Sequence, residues 1–221
     1  TAMIRIENDS PAGDKSIFID DISLAVHPCP QTGVSLANAD FGADSGVSGF
    51  TYVTPTSWQS SAGGVVVVRS SNGPWGGLAA PSGTHFISIQ SDGSWIQQDA
   101  CGLTPGAWYN MTFQMTHRPG NGNDEAGIIQ VDGSTVWSSP VPMPDSFTTY
   151  SAVFQANSGG TAMIRIENDS PAGDKSIFID DISLALSTCQ SPGSVANADF
   201  GADSGVSGYT YVTPTSWQSS E

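Results

Sequence analysis

The sequence predicts an all-β fold, an antiparallel β-sandwich, on three observations. Only 12% of the 221 residues are charged, and Gly, Ser, Thr, Asn and Pro are abundant beside the 38% that are apolar. Asp-Gly pairs at 92–93 and 132–133 separate short runs rich in β-forming residues. No segment shows the 3.6-residue apolar period of a helix. A chain of this kind forms many short strands joined by turns.

The strands are predicted in chain order from apolar alternation and turn chemistry. We expect two hairpins, one through Ser91–Asp92–Gly93–Ser94 and one through Asp132–Gly133, because Asp-Gly between β-rich runs favours a tight hairpin. A turn at 104–106 leads into a strand over 107–115, where alternate residues from Tyr109 to Met115 share an apolar face. The further strands are predicted at 65–68, 147–155, 161–167 and 175–185.

Charge excludes several classes of partner. The chain has 21 Asp and Glu against six Lys and Arg, a formal net charge of −15. A phosphate backbone or an anionic membrane would repel it, so we expect no nucleic-acid binding. No apolar run is long enough to insert in a membrane, and because no basic-then-apolar stretch stands at the front we expect no signal segment in this sequence. Because the chain begins at Thr1, we expect it to be part of a longer protein.

An internal repeat organises the chain. Residues 1–25 recur unchanged as 161–185, and residues 37–61 recur as 196–220 with one difference, Phe50 against Tyr209. Two dissimilar segments rich in Pro, Ser and Thr separate the repeated blocks, as linkers do. The repeat predicts near-identical modules in tandem. They are the end of one module at 1–25, a connector at 26–36, a complete module at 37–185, a connector at 186–195 and the start of another module at 196–221.

The complete module resembles a known group of domains. The order of Asn38–Ala39–Asp40–Phe41, then 97–115, 147–156 and 161–168, and finally 177–185 is similar to galactose-binding-like jelly rolls, above all the CenC-type carbohydrate-binding modules. The resemblance implies an antiparallel jelly-roll β-sandwich. One departure is Phe41–Gly42, where the resembling domains have Phe-Glu, so the acidic ligand that the resemblance implies at this position has no counterpart here.

The last strand carries a candidate metal ligand. Strand parity places Asp180 on one face with Phe178, Ile182 and Leu184, and a carboxylate on an apolar face needs a cation or hydrogen-bond donors. The resemblance implies a structural Ca²⁺ here, a cation that takes oxygen ligands. We expect Asp40 and Asp180 as ligands, with Asn38 and Asp44 after them. The alternative is an Asp180 that accepts backbone N–H groups only.

A polar loop over 116–125 is the candidate sugar site. We expect Arg118, Asn123, Asp124 and Glu125 to contact sugar hydroxyls, because a loop on a rigid sandwich suits recognition. Trp75 lies in a Gly-rich loop and is expected to offer a ring for stacking. The alternative is a solvated loop in which Arg118 pairs with Glu125.

Cysteine spacing indicates an oxidising compartment. Cys29 and Cys189 occupy the same connector position, so each repeat has two cysteines, one of them Cys101. An even number per repeat favours a disulfide. If the strands pair as in the resembling fold, Cys101 meets Cys189; Cys29–Cys101 is the alternative.

Three Asn-x-Ser/Thr triplets are candidate glycosylation sites, at Asn8, Asn110 and Asn168. Asn110 is favoured, because strand parity turns it away from the apolar face.

Two functions fit these observations. The first is a structural, non-enzymatic subunit of an extracellular or cell-surface fibre, in which tandem lectin-like modules pack on adjacent repeats or copies and also bind glycans. The alternative is a carbohydrate-binding module of a secreted polysaccharide-active protein. No nucleophile or zinc motif surrounds the three histidines, so no catalytic residue is predicted.

Overall fold

A computed structural model describes residues 34–122 and 124–187. In this part of the chain eleven strands account for nearly all of the regular structure. They are β1 (Phe50–Tyr52), β2 (Gln59–Ser60), β3 (Val65–Arg69), β4 (His85–Gln90), β5 (Trp95–Ala100), β6 (Trp108–His117), β7 (Gly127–Val131), β8 (Ser134–Ser138), β9 (Thr148–Gln155), β10 (Ala162–Asn168) and β11 (Ser176–Leu186).

The strands form two facing sheets. One has six strands in the order β1-β3-β4-β11-β6-β9, and the other has five in the order β2-β5-β10-β7-β8. Every strand pairing is antiparallel. Because the chain passes repeatedly from one sheet to the other, the molecule is a jelly-roll β-sandwich, and the predicted fold class is confirmed. No helix in the described part is long and apolar enough to cross a membrane.

The main core lies between the sheets. Strand β6 buries Tyr109, Met111, Phe113 and Met115 and leaves the residues between them partly exposed, as the alternation predicts. Strands β7 and β8 form the predicted hairpin through Asp132 and Gly133. Leu36, which the sequence analysis assigned to the connector, is also buried in this core. The domain boundaries otherwise stay a prediction, because 1–33 and 188–221 lie outside the described residues.

A second, smaller apolar cluster covers part of the outer face of the six-stranded sheet. Val66 and Val68 on β3, Phe86 on β4 and Phe178 on β11 point away from the main core, and Trp75 packs onto them from a loop. Strands β3 and β4 are therefore buried on both faces. Burial on both faces explains why β3 reads as an unbroken run of valines.

The expected hairpin at Ser91–Ser94 is wrong. The turn is present, but β4 and β5 belong to different sheets, so the turn carries the chain from one sheet to the other. The backbone N–H of Ser91 donates to the Lys175 carbonyl, and that of Gly93 donates to the Asn168 carbonyl. The turn is therefore bonded to the last residue of β10 and to the residue that precedes β11. Tertiary pairing has overridden a local hairpin preference.

A bulge changes the parity of β11. The register against β6 shifts between Asp180 and Ser183, and Asp181 has a left-handed φ of 51°. Asp180 thus lies on the same side of β11 as Phe178, beneath the loop over 70–84 between β3 and β4, which we call the outer loop. Ile182 instead joins the main core, and Leu184 packs against that core. The prediction that Asp180 shares a face with Ile182 and Leu184 is wrong, because it assumed an unbroken strand.

Candidate functional site

A groove opens along the side of the sandwich, where the edge strands β1 and β2 separate. Its volume is about 340 Å³. One wall comes from β1 and the residues that follow it, and the other from β2 and its turn. The lining residues are Tyr52, Val53, Thr54, Ser60, Ser61, Ala62, Gly63 and Val65. None of these eight is charged, although the chain carries a net charge of −15.

Tyr52 is the exposed aromatic residue of this groove. It is 55% exposed, and its hydroxyl donates to Oε1 of Gln90 at 2.9 Å. The ring meets Phe50 and Trp75 edge-on, with centroid distances of 6.4 Å in both cases. These contacts hold the ring in place while much of it stays open to solvent. A fixed, exposed ring suits stacking against an apolar ligand face.

Hydroxyl groups complement the ring across the groove. Thr54 and Ser60 lie with their hydroxyl oxygens 2.6 Å apart. The Ser61 hydroxyl accepts the backbone N–H of Trp95, which joins the groove wall to β5. The groove therefore combines an aromatic wall with neutral donors and acceptors. Tyr52 was not predicted as a site residue, because only the edge position of β1 leaves its side chain exposed.

The outer face of the five-stranded sheet continues beyond the groove. Arg165 on β10 stacks over Trp95, with 4.5 Å from the guanidinium carbon to the ring centroid, and pairs with Glu167 at 2.6 Å. Gln97 and Gln59 are paired through their side-chain amides. This face is polar, and Arg165 and Glu167 on it form an ion pair.

Trp75 is not an exposed stacking residue, so that expectation is corrected. Its ring is only 3% exposed, in the outer apolar cluster. The Gly73–Trp75 turn folds the loop back onto the six-stranded sheet, and Phe178 meets the ring at 6.1 Å. The Gly-rich sequence indicated a loop correctly, yet a loop can still carry a core residue.

The other described residues of the predicted sugar loop bind or pack against other parts of the protein. Arg118 donates to the Pro74 carbonyl at 2.8 Å, and its other terminal nitrogen lies 3.6 Å from Asp174. Asp124 is hydrogen-bonded to Lys175, which lowers the pKa of Asp124. Glu125 is 1% exposed and is therefore not a solvated residue, and the alternative pairing of Arg118 with Glu125 is replaced by the pairing with Asp174. Asn123 lies outside the described residues.

Asp40 and Asp180 are brought together by the bulge in β11. The backbone N–H of Ile182 donates to the Ala39 carbonyl, which places the segment before Asp40 beside the bulge. The Asp180 side chain is fully buried and accepts the backbone N–H groups of Ser82 and Asp181. Burial raises the pKa of Asp180 to about 7, and the charge of Asp40 contributes to this rise.

Asn38 and Asp44 form a separate cluster. The Asn38 amide donates to Asp44 at 2.8 Å and to the Thr56 carbonyl at 2.9 Å. Asp44 also accepts the backbone N–H and the hydroxyl of Thr56. Both side chains therefore hold the opening segment onto the loop before β2. The Asn38 oxygen accepts the backbone N–H of Ala43 at 2.9 Å, so the side-chain oxygens of both residues already accept hydrogen bonds within the protein.

The donor chemistry at Asp40 and Asp180 fits a calcium ion in part. A buried carboxylate beside a second carboxylate gives hard oxygen ligands and an unfavourable charge that a cation would offset. No group of three or more His, Cys, Asp or Glu side chains in the described residues is arranged to hold a metal. Backbone carbonyls and water would have to supply the other ligands.

The predicted covalent sites differ in accessibility. Asn110 lies on the outer side of β6 and is partly exposed, whereas Asn168 is fully buried. The Asn168 amide donates to the carbonyls of Ile89 and Lys175, and its oxygen accepts the Ser170 N–H. Asn168 is therefore no acceptor in the folded protein, and that expectation is corrected. Cys101 is buried; Cys29, Cys189 and Asn8 lie outside the described residues.

Comparison with known proteins finds similar folds but no close relative. No protein-family profile and no curated protein sequence matches the chain. A family 61 carbohydrate-binding module, solved with β-1,4-galactotriose, is 16% identical with a TM-score of 0.49, covering 71% of this chain and all of that chain. A family 35 module from Clostridium thermocellum is 14% identical with a TM-score of 0.45, covering 63% of this chain and all of that one.

A third similar structure is the CBM22-1 xylan-binding domain from Paenibacillus barcinonensis. It is 12% identical, with a TM-score of 0.45, covering 69% of this chain and 94% of that domain. The fold assignment of the present chain rests on its own strand order.

Proposed function

We propose that residues 34–187 form a non-catalytic carbohydrate-binding module that holds a neutral sugar in the groove beside Tyr52. The observation that carries this proposal is the Tyr52 ring, which is held by Phe50, Trp75 and Gln90 yet is 55% exposed above uncharged hydroxyl groups. A sugar ring has an apolar face and a rim of hydroxyl groups. The groove offers a matching ring and matching polar groups.

The groove's lack of charge narrows the ligand class. A neutral groove on a chain with a net charge of −15 favours uncharged glycans, because the carboxylates elsewhere on the chain repel acidic sugars. A volume of about 340 Å³ suits one or two sugar units. The resemblance of the sequence to CenC-type modules supports the same class of ligand. As part of this proposal, the protein is secreted and acts outside the cell or on the cell surface.

The test is affinity electrophoresis and calorimetry of the full chain against xylan and β-1,4-galactan, with an acidic polysaccharide beside them. Tyr52→Ala should weaken binding by about two- to thirteenfold, because stacking contributes about 0.5–1.5 kcal/mol beyond burial. Tyr52→Phe keeps the ring and should bind nearly as well. Trp95→Ala changes an aromatic residue on the neighbouring sheet face. If the sugar lies beside Tyr52, this variant should bind as tightly as the unaltered chain. Equal affinity of Tyr52→Ala and the unaltered chain contradicts the groove.

A structural role in a fibre is the second proposal, and the repeat favours it. Near-identical segments at 1–25 and 161–185 and at 37–61 and 196–220 suit a regular array of sandwiches that pack on one another. The two roles are compatible if the array displays the groove of each module. Electron microscopy of the native material tests this role, and discrete single particles contradict it.

A structural Ca²⁺ at Asp40 and Asp180 is a third element of the proposal. Its support is the buried carboxylate of Asp180, which two backbone N–H groups contact but no cationic side chain in the described residues neutralises. Such an ion would fasten the opening segment to β11.

A further inference from the structure

Four strands form the edges of the two sheets in the described part of the chain: β1 and β9 in one sheet, and β2 and β8 in the other. An edge strand presents backbone N–H and C=O groups that its own sheet leaves unpaired. Proteins limit such edges with short strands, bulges, Pro or charged side chains. Strands β1 and β2 have three and two residues. Strand β8 has five, and its register against β7 is interrupted, so these three edges offer little to a further strand.

Strand β9 shows none of these protective features. It runs for eight residues, Thr148–Gln155, and pairs with β6 at all eight positions without a break in register. Its sequence, TTYSAVFQ, contains no Pro and no charged residue. Thr, Tyr, Val and Phe, which favour strands, fill five of the eight positions. Within the described residues, β9 is therefore a long and regular edge that can accept a further strand.

The surface around β9 is almost free of charge. Within residues 133–164 the only charged residue is Asp145, although the chain has 21 acidic residues. Strands β8 and β9 both belong to this stretch and contact each other at one side of the sandwich. Two exposed apolar side chains lie in it, Val141 at 59% and Val153 at 48%. Two copies of a chain with a net charge of −15 repel each other, so they can approach most closely where each copy lacks charge.

We propose that β9 is a docking edge for β9 of a second copy of this chain. The two strands run antiparallel about a two-fold axis, and the six-stranded sheets of the two copies continue into one another. The exposed side chains of β9 are Thr149, Ser151, Val153 and Gln155. With the outer faces of the two sheets on one side, each of these residues lies opposite another of the same set. The pairing therefore opposes neutral side chains and no like charges.

The predicted tandem array makes this pairing cumulative. Each complete module presents one β9, so two arrays side by side can pair at several modules. Linked contacts of this kind hold together more strongly than any one of them alone. The pairing does not depend on the proposed sugar site, because the groove is lined by residues of β1, β2 and the segments beside them.

The experiment is analytical ultracentrifugation of the full chain, purified without refolding, over a range of protein concentrations. The dimer fraction should rise with concentration and fall on dilution. It should also increase with added salt, because salt screens the repulsion between two chains of the same charge. Val153→Lys brings two ammonium groups together at the edge and should raise the Kd of the dimer at least about tenfold.

Thr51→Lys is the matched control. Thr51 is exposed on β1, the opposite edge of the same sheet, and its substitution changes the net charge by the same amount. The Kd of this variant should equal that of the unaltered chain. Thr149→Lys, at another exposed position of β9, tests the edge in case Val153→Lys does not fold, and it should weaken the dimer as well.

Hydrogen exchange identifies the strand that pairs. Amides in 148–155 should gain protection at high protein concentration in the unaltered chain and in Thr51→Lys, but not in Val153→Lys. Equally high protection of 148–155 in dilute, monomeric protein would mean that another segment of the same chain covers β9, and it would overturn the proposal. A chain that is monomeric at every concentration, a dimer that persists on dilution, or an equal Kd for Val153→Lys and Thr51→Lys overturns it too. No sugar is present, so these outcomes are separate from the test of the groove.

Discussion

The guanidinium carbon of Arg118 lies 4.6 Å from the centre of the Trp75 ring. Arg118 is the first residue of the loop after β6, whereas Trp75 belongs to the outer apolar cluster. A cation over an aromatic face is attracted by the ring's electron density. The contact therefore closes the outer cluster on its solvent side, and the loop after β6 acts as part of that cover.

Trp75→Ala should destabilise the protein strongly. The ring is buried against Val66, Phe86 and Phe178, so its removal leaves a cavity, and comparable substitutions cost about 3–5 kcal/mol. Urea unfolding of the variant measures this loss in the free energy of unfolding. Trp108→Ala, at a partly exposed position at the start of β6, is the matched control and should cost clearly less. Similar losses for both variants would contradict the outer cluster.

Calcium should stabilise the protein through Asp180. An ion that binds only the folded state at about one hundred times its dissociation constant adds about 2.7 kcal/mol. For a domain of this size, that gain corresponds to a rise in Tm of about 5–10 °C relative to EDTA. Asp180→Asn should lose the rise and Asp169→Asn, on an exposed loop, should retain it. Identical melting in calcium and EDTA contradicts the metal site.

The Asp124–Lys175 pair should stabilise the protein between mildly acidic and mildly basic pH. The hydrogen bond to Lys175 lowers the pKa of Asp124, and the same bond raises the pKa of Lys175. The contribution of the pair to the free energy of unfolding is present above pH 3.8, the ordinary pKa of the Asp124 carboxyl. It is lost as the pH falls through the lower pKa that Asp124 has in the folded protein. The contribution is lost again as the pH rises through the pKa that Lys175 has in the folded protein, which lies above its ordinary 10.5.

Asp124→Asn should therefore differ from the unaltered chain most at pH 5–9 and least below pH 3. Urea unfolding at several pH values measures the difference in the free energy of unfolding. Asp92→Asn serves as the control at an exposed turn. A difference that is constant from pH 2.5 to pH 7 would show that the pair makes no electrostatic contribution.

Glycosylation should discriminate between two triplets of the same type. In a secreting host that attaches N-glycans, mass spectrometry should find a glycan on Asn110 and none on Asn168, whose amide is buried and doubly donating. Asn168→Ala should cost about 1–3 kcal/mol, because it removes a buried amide that donates to the Ile89 and Lys175 carbonyls and accepts the Ser170 N–H. Asn110→Gln should change stability by less than about 0.5 kcal/mol. A glycan on Asn168 of folded protein contradicts this burial.

Peptide mapping without reduction should identify the cysteine that pairs with Cys101. We expect a Cys101–Cys189 peptide, and a Cys29–Cys101 peptide would support the alternative. Ser35, six residues after Cys29, forms a backbone bridge with Cys101, so the first connector also passes close to this thiol. Recovery of all three cysteines as free thiols would contradict both pairings.

Local signals in the sequence predicted the parts of the fold that local structure decides. The alternation from Tyr109 to Met115 and the hairpin at Asp132–Gly133 both depend on residues close in sequence, and both are present. The turn at Asp92–Gly93 has the same chemistry, but its strands pair with distant partners in different sheets. The conformational preference of a turn contributes little free energy compared with the burial of a whole strand.

The candidate sites depended on tertiary structure to a greater degree. Trp75 and Tyr52 are both aromatic residues near the start of the module, yet one is buried and the other is exposed. Which one stays open is decided by a loop that folds back over the six-stranded sheet and by the edge position of β1. Asp180 was found from sequence because a carboxylate among apolar residues is conspicuous, but the bulge that turns it beneath the outer loop left no local signal.

Strand β11 lies in the middle of the six-stranded sheet, between β4 and β6, and its sequence through residue 185 is present a second time at 16–25. During folding, either segment has the side chains to fill that central position. A chain that unfolds thus has two chemically equivalent ways to complete one sandwich, and a neighbouring molecule offers more. Refolding should then yield exchanged dimers beside monomers, with a dimer fraction that rises with protein concentration. Near-identity between repeats carries this hazard of strand exchange wherever such an array must fold.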